Sequence, residues 1–359
     1  MAPPRPRWEA NKKQAAPKTQ KVQKPKIFAE APPPSIPLEL QQLLLNIFKN
    51  SFSERFATDI KPLLQEVKGH LYNRDFATAF GKDEYLETYA ARWSASRALG
   101  YADLFWDLRA HLWPNELNSA NLDVETSEDA PVKRREIVCL GGGAGAELVA
   151  LAGVQKMLSD ANGHGCTTPS SLNARAVDVA DWSSIIEQLA QNVVKAPPLS
   201  KYASAALQAA NGALIEPSSF NVSFHQHDIL NEESSKLLKL LREAGLVTLM
   251  FTLNELYSTS MSLTQKFLLN LTALLPTGAL LLVVDSPGSY STITLNGAEK
   301  KYPMQWLLNH TLLTQSRKEE AKWEKIHEDE SRWFRLGPTL QYPIELENMR
   351  MQLHLYRRV

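Results

Sequence analysis

The sequence predicts an α/β fold, in which a mostly parallel sheet carries helices on both faces. A helical N-terminal subdomain and a disordered basic tail precede it. Three observations carry this reading. Between residues 135 and 285, short apolar runs alternate with segments of helical periodicity, as in strands joined by crossover helices. Residues 37–113 show helical spacing alone. The first 35 residues hold Arg5, Arg7, Lys12, Lys13, Lys18, Lys21, Lys24 and Lys26 against Glu9 and Glu30, and end in Pro32-Pro33-Pro34. No core can form from that composition. The expected divisions are a tail at 1–35, a helical subdomain and linker at 36–130, and a cofactor-binding domain at 131–359.

The bulk numbers are those of a globular chain. Of 359 residues, 44% are hydrophobic and 22% charged, which excludes a wholly disordered or fibrous chain. Lys+Arg and Asp+Glu are both 39, so any attraction for nucleic acid must be local. The basic tail suits nuclear import or RNA phosphates; a plain solvated tail is the competing reading. Cys139 and Cys166 are too few for a disulfide framework or a four-thiolate zinc site, and point to a reducing compartment. No apolar run reaches membrane-spanning length, and no secretory signal core stands at the start. Membrane and metal are therefore not expected.

The elements follow in order. Leu40, Leu43, Leu44, Ile47 and Phe48 share a helical face, as do Phe52, Phe56, Ile60, Leu63, Leu64 and Val67. Ser53 is a candidate helix start. Tyr85, Tyr89, Arg92, Trp93 and Arg97 then crowd one helical segment. Aromatic faces stack on bases and arginines pair with phosphates, so Tyr89, Arg92, Trp93 and Arg97 are candidate substrate contacts. The alternative is a helix packing its rings on the next domain. Residues 114–131 read as a linker. Strands are expected at 135–140, 174–178, 219–228, 246–252 and 278–285, with helices at 144–158, 182–194, 234–244 and 262–275 between them, and a loop at 160–173. Residues 349–357 alternate polar and apolar, as an antiparallel strand with one exposed face would.

Chemistry concentrates where strands end. Ile137–Leu140 runs into Gly141, Gly142, Gly143, Ala144 and Gly145, and a helix beginning near Glu147 follows. Glycines there let the backbone approach a ligand, and the helix start offers free N–H groups. Asp178 ends the second strand, where an acid accepts ribose hydroxyls; its neighbour Asp181 reads as a helix N-cap. Asp228 and Ile229 follow the third strand, a position suited to an adenine. His225 and His227 alternate there without a third metal ligand nearby. Asn254, Glu255 and Tyr257 follow the fourth strand, and Asp285 ends the fifth. These are candidates for orienting a substrate or removing a proton, with a polar helix cap as the alternative for the first group.

These motifs, in this order, resemble a Class I (Rossmann-like) S-adenosylmethionine-dependent methyltransferase over residues 135–359. The resemblance implies that Gly141, Gly142, Gly143, Gly145, Glu147, Asp178, Asp228, Ile229 and Asn254 bind the cofactor. In one respect the chain departs from the pattern. Many members carry an acid two positions before the first glycine, where this chain has Cys139, so the methionine amino group falls to Glu147 or to backbone carbonyls. The basic tail, Tyr85-Leu-Glu-Thr-Tyr-Ala-Ala-Arg-Trp-Ser-Ala-Ser-Arg97, the glycine turn and Phe251-Thr-Leu-Asn-Glu-Leu-Tyr257 are similar to fungal 25S rRNA uridine-N3 methyltransferases. That similarity implies ribosomal RNA, and with it preribosomal particles, as partners, in the nucleus and nucleolus rather than the cytoplasm. Uridine N3 carries a proton, so a base is useful; Glu255 is the first candidate, Asp285 the second, and Asn254 a positioning group. The target edge must be unpaired and stacked, which makes Tyr257, Tyr290 and Trp93 candidate faces. Other readings stay open. Gly141-x-Gly143-x-x-Ala146 also fits an NAD(P) turn, the methyl acceptor could be a protein or small molecule, and a non-catalytic assembly factor could retain the fold.

Overall fold

A computed structural model describes residues 34–114, 133–161, 170–199, 201–231, 234–295, 298–315 and 322–359. The basic tail up to residue 33, the linker at 115–131 and Cys166 lie outside the described residues.

Seven strands form one sheet in the order β3-β2-β1-β4-β5-β9-β8. β1 is Lys133–Leu140, β2 Ser170–Asp178, β3 Phe220–Gln226, β4 Leu246–Met250, β5 Leu280–Asp285, β8 Trp323–Phe334 and β9 Met349–Arg358. A separate antiparallel pair, β6 (Tyr290–Leu295) and β7 (Ala298–Pro303), follows β5. β1 to β5 are parallel. β9 lies antiparallel between β5 and β8. The mostly parallel sheet expected from the sequence is therefore present.

Alternate residues feed two cores, as period-two geometry requires. Ile137, Cys139, Leu246, Leu282, Val284, Leu353 and Leu355 face one side. Val138, Leu140, Val247, Leu249, Leu281, Val283 and Tyr356 face the other. The first core also takes Leu44, Phe48, Leu99 and Phe105, from helices Leu38–Ser51 and Ala95–Asp107. The N-terminal helices thus share the sheet's core directly. Leu44 packs so closely on helix Ala146–Ala161 that a Cβ on Gly153 would stand 3.0 Å from it.

Several boundaries differ from expectation. The helix expected from Ser53 is a single turn, Ser53–Phe56, and the longer helix is Lys61–Tyr72. The loop expected at 160–173 is shorter at both ends, because helix Ala146–Ala161 takes its first two residues and β2, from Ser170, its last four. β4 stops at Met250, since Phe251 takes a positive φ of 57° and leaves the strand. Asp181 is not the N-cap residue of Ser183–Val194, which is Trp182, though its carboxylate does accept the Ser183 N–H at 3.1 Å. The terminal strand has no exposed face along 351–356. Its polar residues are buried: Gln352 Oε1 meets His354 Nε2 at 3.3 Å, Tyr356 donates to Asn309 at 2.7 Å, and His354 Nδ1 has no hydrogen-bond partner among the described residues. The exposed edge is β8, whose run of charges suits an edge strand.

Candidate active site

The glycine turn sits where β1 ends and helix Ala146–Ala161 begins. Gly141 and Gly145 both have φ of 77°, a conformation that strains any residue with a Cβ. Three neighbours wall the turn. A Cβ on Gly141 would lie 2.3 Å from Thr252 Oγ1, one on Gly142 2.8 Å from Glu147 Oε2, and one on Gly143 2.1 Å from Trp182 Cδ1. The turn is fixed from below by Gly141 N–H donating to Val177 O at 2.8 Å.

Two acids touch the turn, Asp178 and Glu147, and two more, Asp285 and Glu255, stand at the end of β5 and after β4. Asp178 accepts the N–H of Gly143 and of Ala180, each at 3.2 Å. A carboxylate has about four acceptor sites, so capacity remains for a diol. Burial pushes its carboxyl above the usual range. Glu147 is 3% exposed and accepts the hydroxyl of Thr248 from the middle of β4. Burial pushes its carboxyl up to about 7. Asp285 is equally buried, and both oxygens are occupied: Asn254 N–H donates to one at 2.9 Å and Ser286 N–H to the other at 2.8 Å. It therefore ties the segment after β4 to the end of β5. Glu255 is different. Its side chain is 40% exposed and meets Arg74 Nη1 at 3.1 Å.

Asp228 is exposed and accepts the Leu230 N–H at 2.9 Å, while Ile229 beside it is buried. Asn254 has a buried side-chain oxygen without a partner. His225 lies 3.1 Å from Ser223 Oγ. No group of three or more His, Cys, Asp or Glu suited to a metal is found among the described residues.

The aromatic segment converges on the same turn. Tyr89 and Phe80 pack on Trp182, with ring centroids 5.7 and 5.2 Å away, and Trp93 packs on Tyr89 at 5.0 Å. Arg97 donates to the Tyr89 hydroxyl at 2.8 Å. Its guanidinium also lies 5.2 Å from the Phe251 ring. It bridges the residues that wall Gly143 and those beside Thr252 that wall Gly141. Among the described residues no carboxylate forms an ion pair with Arg97. Arg92, in a π-helical turn at Ala90–Ser94, is buried and paired with Glu347. Such turns recur at functional sites. Tyr257 is corrected by its burial: at 3% exposure it belongs to the second core with Phe267 and Leu268, so its ring offers no stacking face. Leu253 and Tyr257, one helical turn apart, form the inward face of helix Leu253–Thr259. Asn254 and Glu255 occupy its other face.

Sequence reasoning missed Thr248, Thr252, Trp182, Phe251 and Arg74. Thr248 carried a signal, a hydroxyl inside the apolar run Leu246–Met250. The positive φ of Phe251 had none.

A family model described as "Putative SAM-dependent methyltransferase" matches residues 48–357. The chain belongs to this S-adenosylmethionine-dependent methyltransferase family. A relative from Saccharomyces cerevisiae, named 25S rRNA (uridine(2843)-N(3))-methyltransferase, is 34% identical over 336 residues, which is 88% of this chain and 85% of the relative. Solved structures are more distant. A Methanosarcina mazei S-adenosylmethionine-dependent methyltransferase is 10% identical, with TM-score 0.34, over 64% of this chain and 94% of its own. An amino pentose methyltransferase from Micromonospora echinaspora is 11% identical, with TM-score 0.32, over 74% and 92%.

The methyltransferase's residues suit its cofactor chemically. Asp178 has lone pairs left for ribose hydroxyls, Glu147 is a buried acid beside the turn, and Arg97 is a cation with no carboxylate ion pair among the described residues. No helix among the described residues is long and apolar enough to cross a membrane.

Proposed function

We propose that this methyltransferase methylates N3 of a uridine in large-subunit ribosomal RNA, on preribosomal particles in the nucleolus. The observation that carries the reading is the 34% identity to the yeast uridine-N3 enzyme over 88% of the chain. The Lys/Arg-rich arm at 1–35 supports an RNA partner.

S-adenosylmethionine supplies the methyl group from its sulfonium. The chain's own residues bind and orient. Asp178 accepts the ribose hydroxyls beside Gly141, Gly142, Gly143 and Gly145. Ile229 and Asp228 border the adenine. Glu147 would hold the ammonium of the cofactor's amino-acid end and Arg97 its carboxylate. Glu147 thereby does the work of the absent strand acid at Cys139. Asn254 keeps a free acceptor near the reacting end. Glu255 takes the uridine N3 proton, because it is the exposed carboxylate beyond β4, whereas Asp285 is buried and braces Asn254 and Ser286. Positioning supplies much of the rate in such a transfer. Tyr89 serves this site through packing on Trp182, Trp93 through packing on Tyr89, and Arg92 through its pairing with Glu347.

The test is transfer of radiolabelled methyl to rRNA from cells lacking the enzyme, with nucleoside analysis. Label in 3-methyluridine of the large-subunit RNA is expected. Cofactor binding with label in protein or in another nucleoside overturns the substrate.

A further inference from the structure

We propose that Arg335 and Arg350, held on the indole of Trp333, form a docking surface for the phosphates of single-stranded RNA flanking the target base. This rests on the RNA reading above and extends it to residues outside the crevice.

Position comes from strand register. Asp285 at the carboxyl end of β5 pairs with Gln352 on β9. Arg350 lies two residues beyond it on the same strand, and pairs with Trp333 on β8. At about 3.4 Å per residue and 4.8 Å between strands, Arg350 stands roughly 8 Å past Asp285 along the rim. Gln352 also donates to Ser286 O at 2.8 Å, joining this rim to the loop after β5. A strand of RNA leaving the crevice on this side crosses the patch.

The chemistry is equally specific. Trp333 is an indole left 40% exposed on the edge strand. The Arg335 guanidinium lies 4.8 Å from its ring and that of Arg350 5.6 Å. Both arginines are exposed, and among the described residues neither has an ion pair with a carboxylate. Among the described residues Arg350 donates to the neutral Ser331 hydroxyl, at 3.0 and 2.8 Å. Arg332, next to Trp333 in sequence, is instead neutralised by Asp103 and Asp107. Nearby acids are Asp329, whose carboxylate accepts the Ser331 N–H at 2.8 Å, Glu330 and Glu347, the last paired with Arg92. Stacking on an aromatic ring orders a guanidinium while leaving its in-plane donors free. Two ordered, uncompensated guanidiniums complement a phosphodiester chain.

The experiment measures anisotropy of a fluorescein-labelled oligouridylate on the full chain across a salt series. The double variant Arg335→Ala/Arg350→Ala is compared with wild type, and calorimetry with S-adenosylhomocysteine checks that the crevice is intact. Loss of two phosphate contacts flattens the log affinity against log salt slope by about 1.4. That flattening, with unchanged S-adenosylhomocysteine affinity, is the expected result. An unchanged slope in a wild type that binds RNA overturns this surface alone. A wild type that binds S-adenosylhomocysteine but no RNA overturns the substrate reading instead. If the variant loses binding to labelled oligoglutamate but not to RNA, the surface belongs to an acidic protein and the proposal fails.

Discussion

The glycine turn and the rim beyond Asp285 lie at the same end of the sheet but are built oppositely. At the turn every group is walled. Trp182, Thr252 and Glu147 press on consecutive glycines, and Glu147 is almost wholly buried. At the rim the groups are exposed and held by partners that are themselves exposed. Glu255 meets Arg74 in a solvent-exposed pair, and Arg350 meets a serine. The first arrangement suits a small ligand of fixed shape, whose charges it can match at low dielectric. The second suits a polymer, for which partial exposure and replaceable contacts keep a surface adaptable. Buried charge therefore reports on the cofactor, and exposed charge on the acceptor.

The largest expected effect would sharpen that contrast. Glu255→Gln should slow methyl transfer by roughly 10²- to 10⁴-fold, the range for loss of a general base. Affinity for S-adenosylhomocysteine should not change, because Glu255 lies outside the walled turn. Single-turnover transfer and calorimetry on the same preparation check both halves. The stability change should stay within about 1 kcal/mol, since an exposed pair contributes little. Full transfer activity would remove Glu255 from the chemistry.

Arg97→Ala acts on the other region. Charge-assisted hydrogen bonds contribute about 1.5–3 kcal/mol, so S-adenosylhomocysteine should bind roughly 10- to 100-fold more weakly. Binding of 5′-methylthioadenosine, which lacks the amino-acid group, should be unaffected. Equal losses for both ligands would reassign Arg97 to packing on Tyr89 and Phe251.

What could be read in advance follows the same division. Strand, glycine turn and helix are contiguous in sequence, so β1, Gly141–Gly145 and Glu147 were legible, as was Asp178 at the end of β2. The walls were not. Tyr89, Trp182 and Phe251 come from three distant segments, and only the fold brings Arg97 between them. Tyr257 misled because an aromatic ring in a polar run looked exposed, while its spacing from Leu253 sets it inward. The antiparallel position of β9 was legible but its burial was not, because its polar residues Gln352 and His354 are buried against each other rather than facing solvent. β8 escaped notice because an edge strand needs no apolar alternation; its run Glu328-Asp-Glu-Ser-Arg332 reads as a loop.

The smallest effect is the pH response of Glu147, and its two halves have opposite signs. Its carboxyl titrates at about 7 in the folded chain against a usual value of 4.5, chiefly because burial disfavours the charge. Between those values the folded chain retains a proton that the unfolded chain has released. The stability this group contributes is therefore fully present below about 4.5 and declines as pH rises to 7, by roughly 3 kcal/mol at most. An ammonium ligand needs the ionised form, so affinity for S-adenosylhomocysteine should rise over the same window and level off above 7. Asp178 and Asp285, also raised by burial, push stability in the same direction, and Glu147→Gln separates their share. In that variant, calorimetry at about pH 6 and pH 8 should give nearly equal affinities, and the difference between its melting temperatures should be smaller than in wild type. A wild-type affinity that does not change between those conditions would show that the ammonium is held by backbone carbonyls, and that the buried acid serves only to brace Thr248 under the turn.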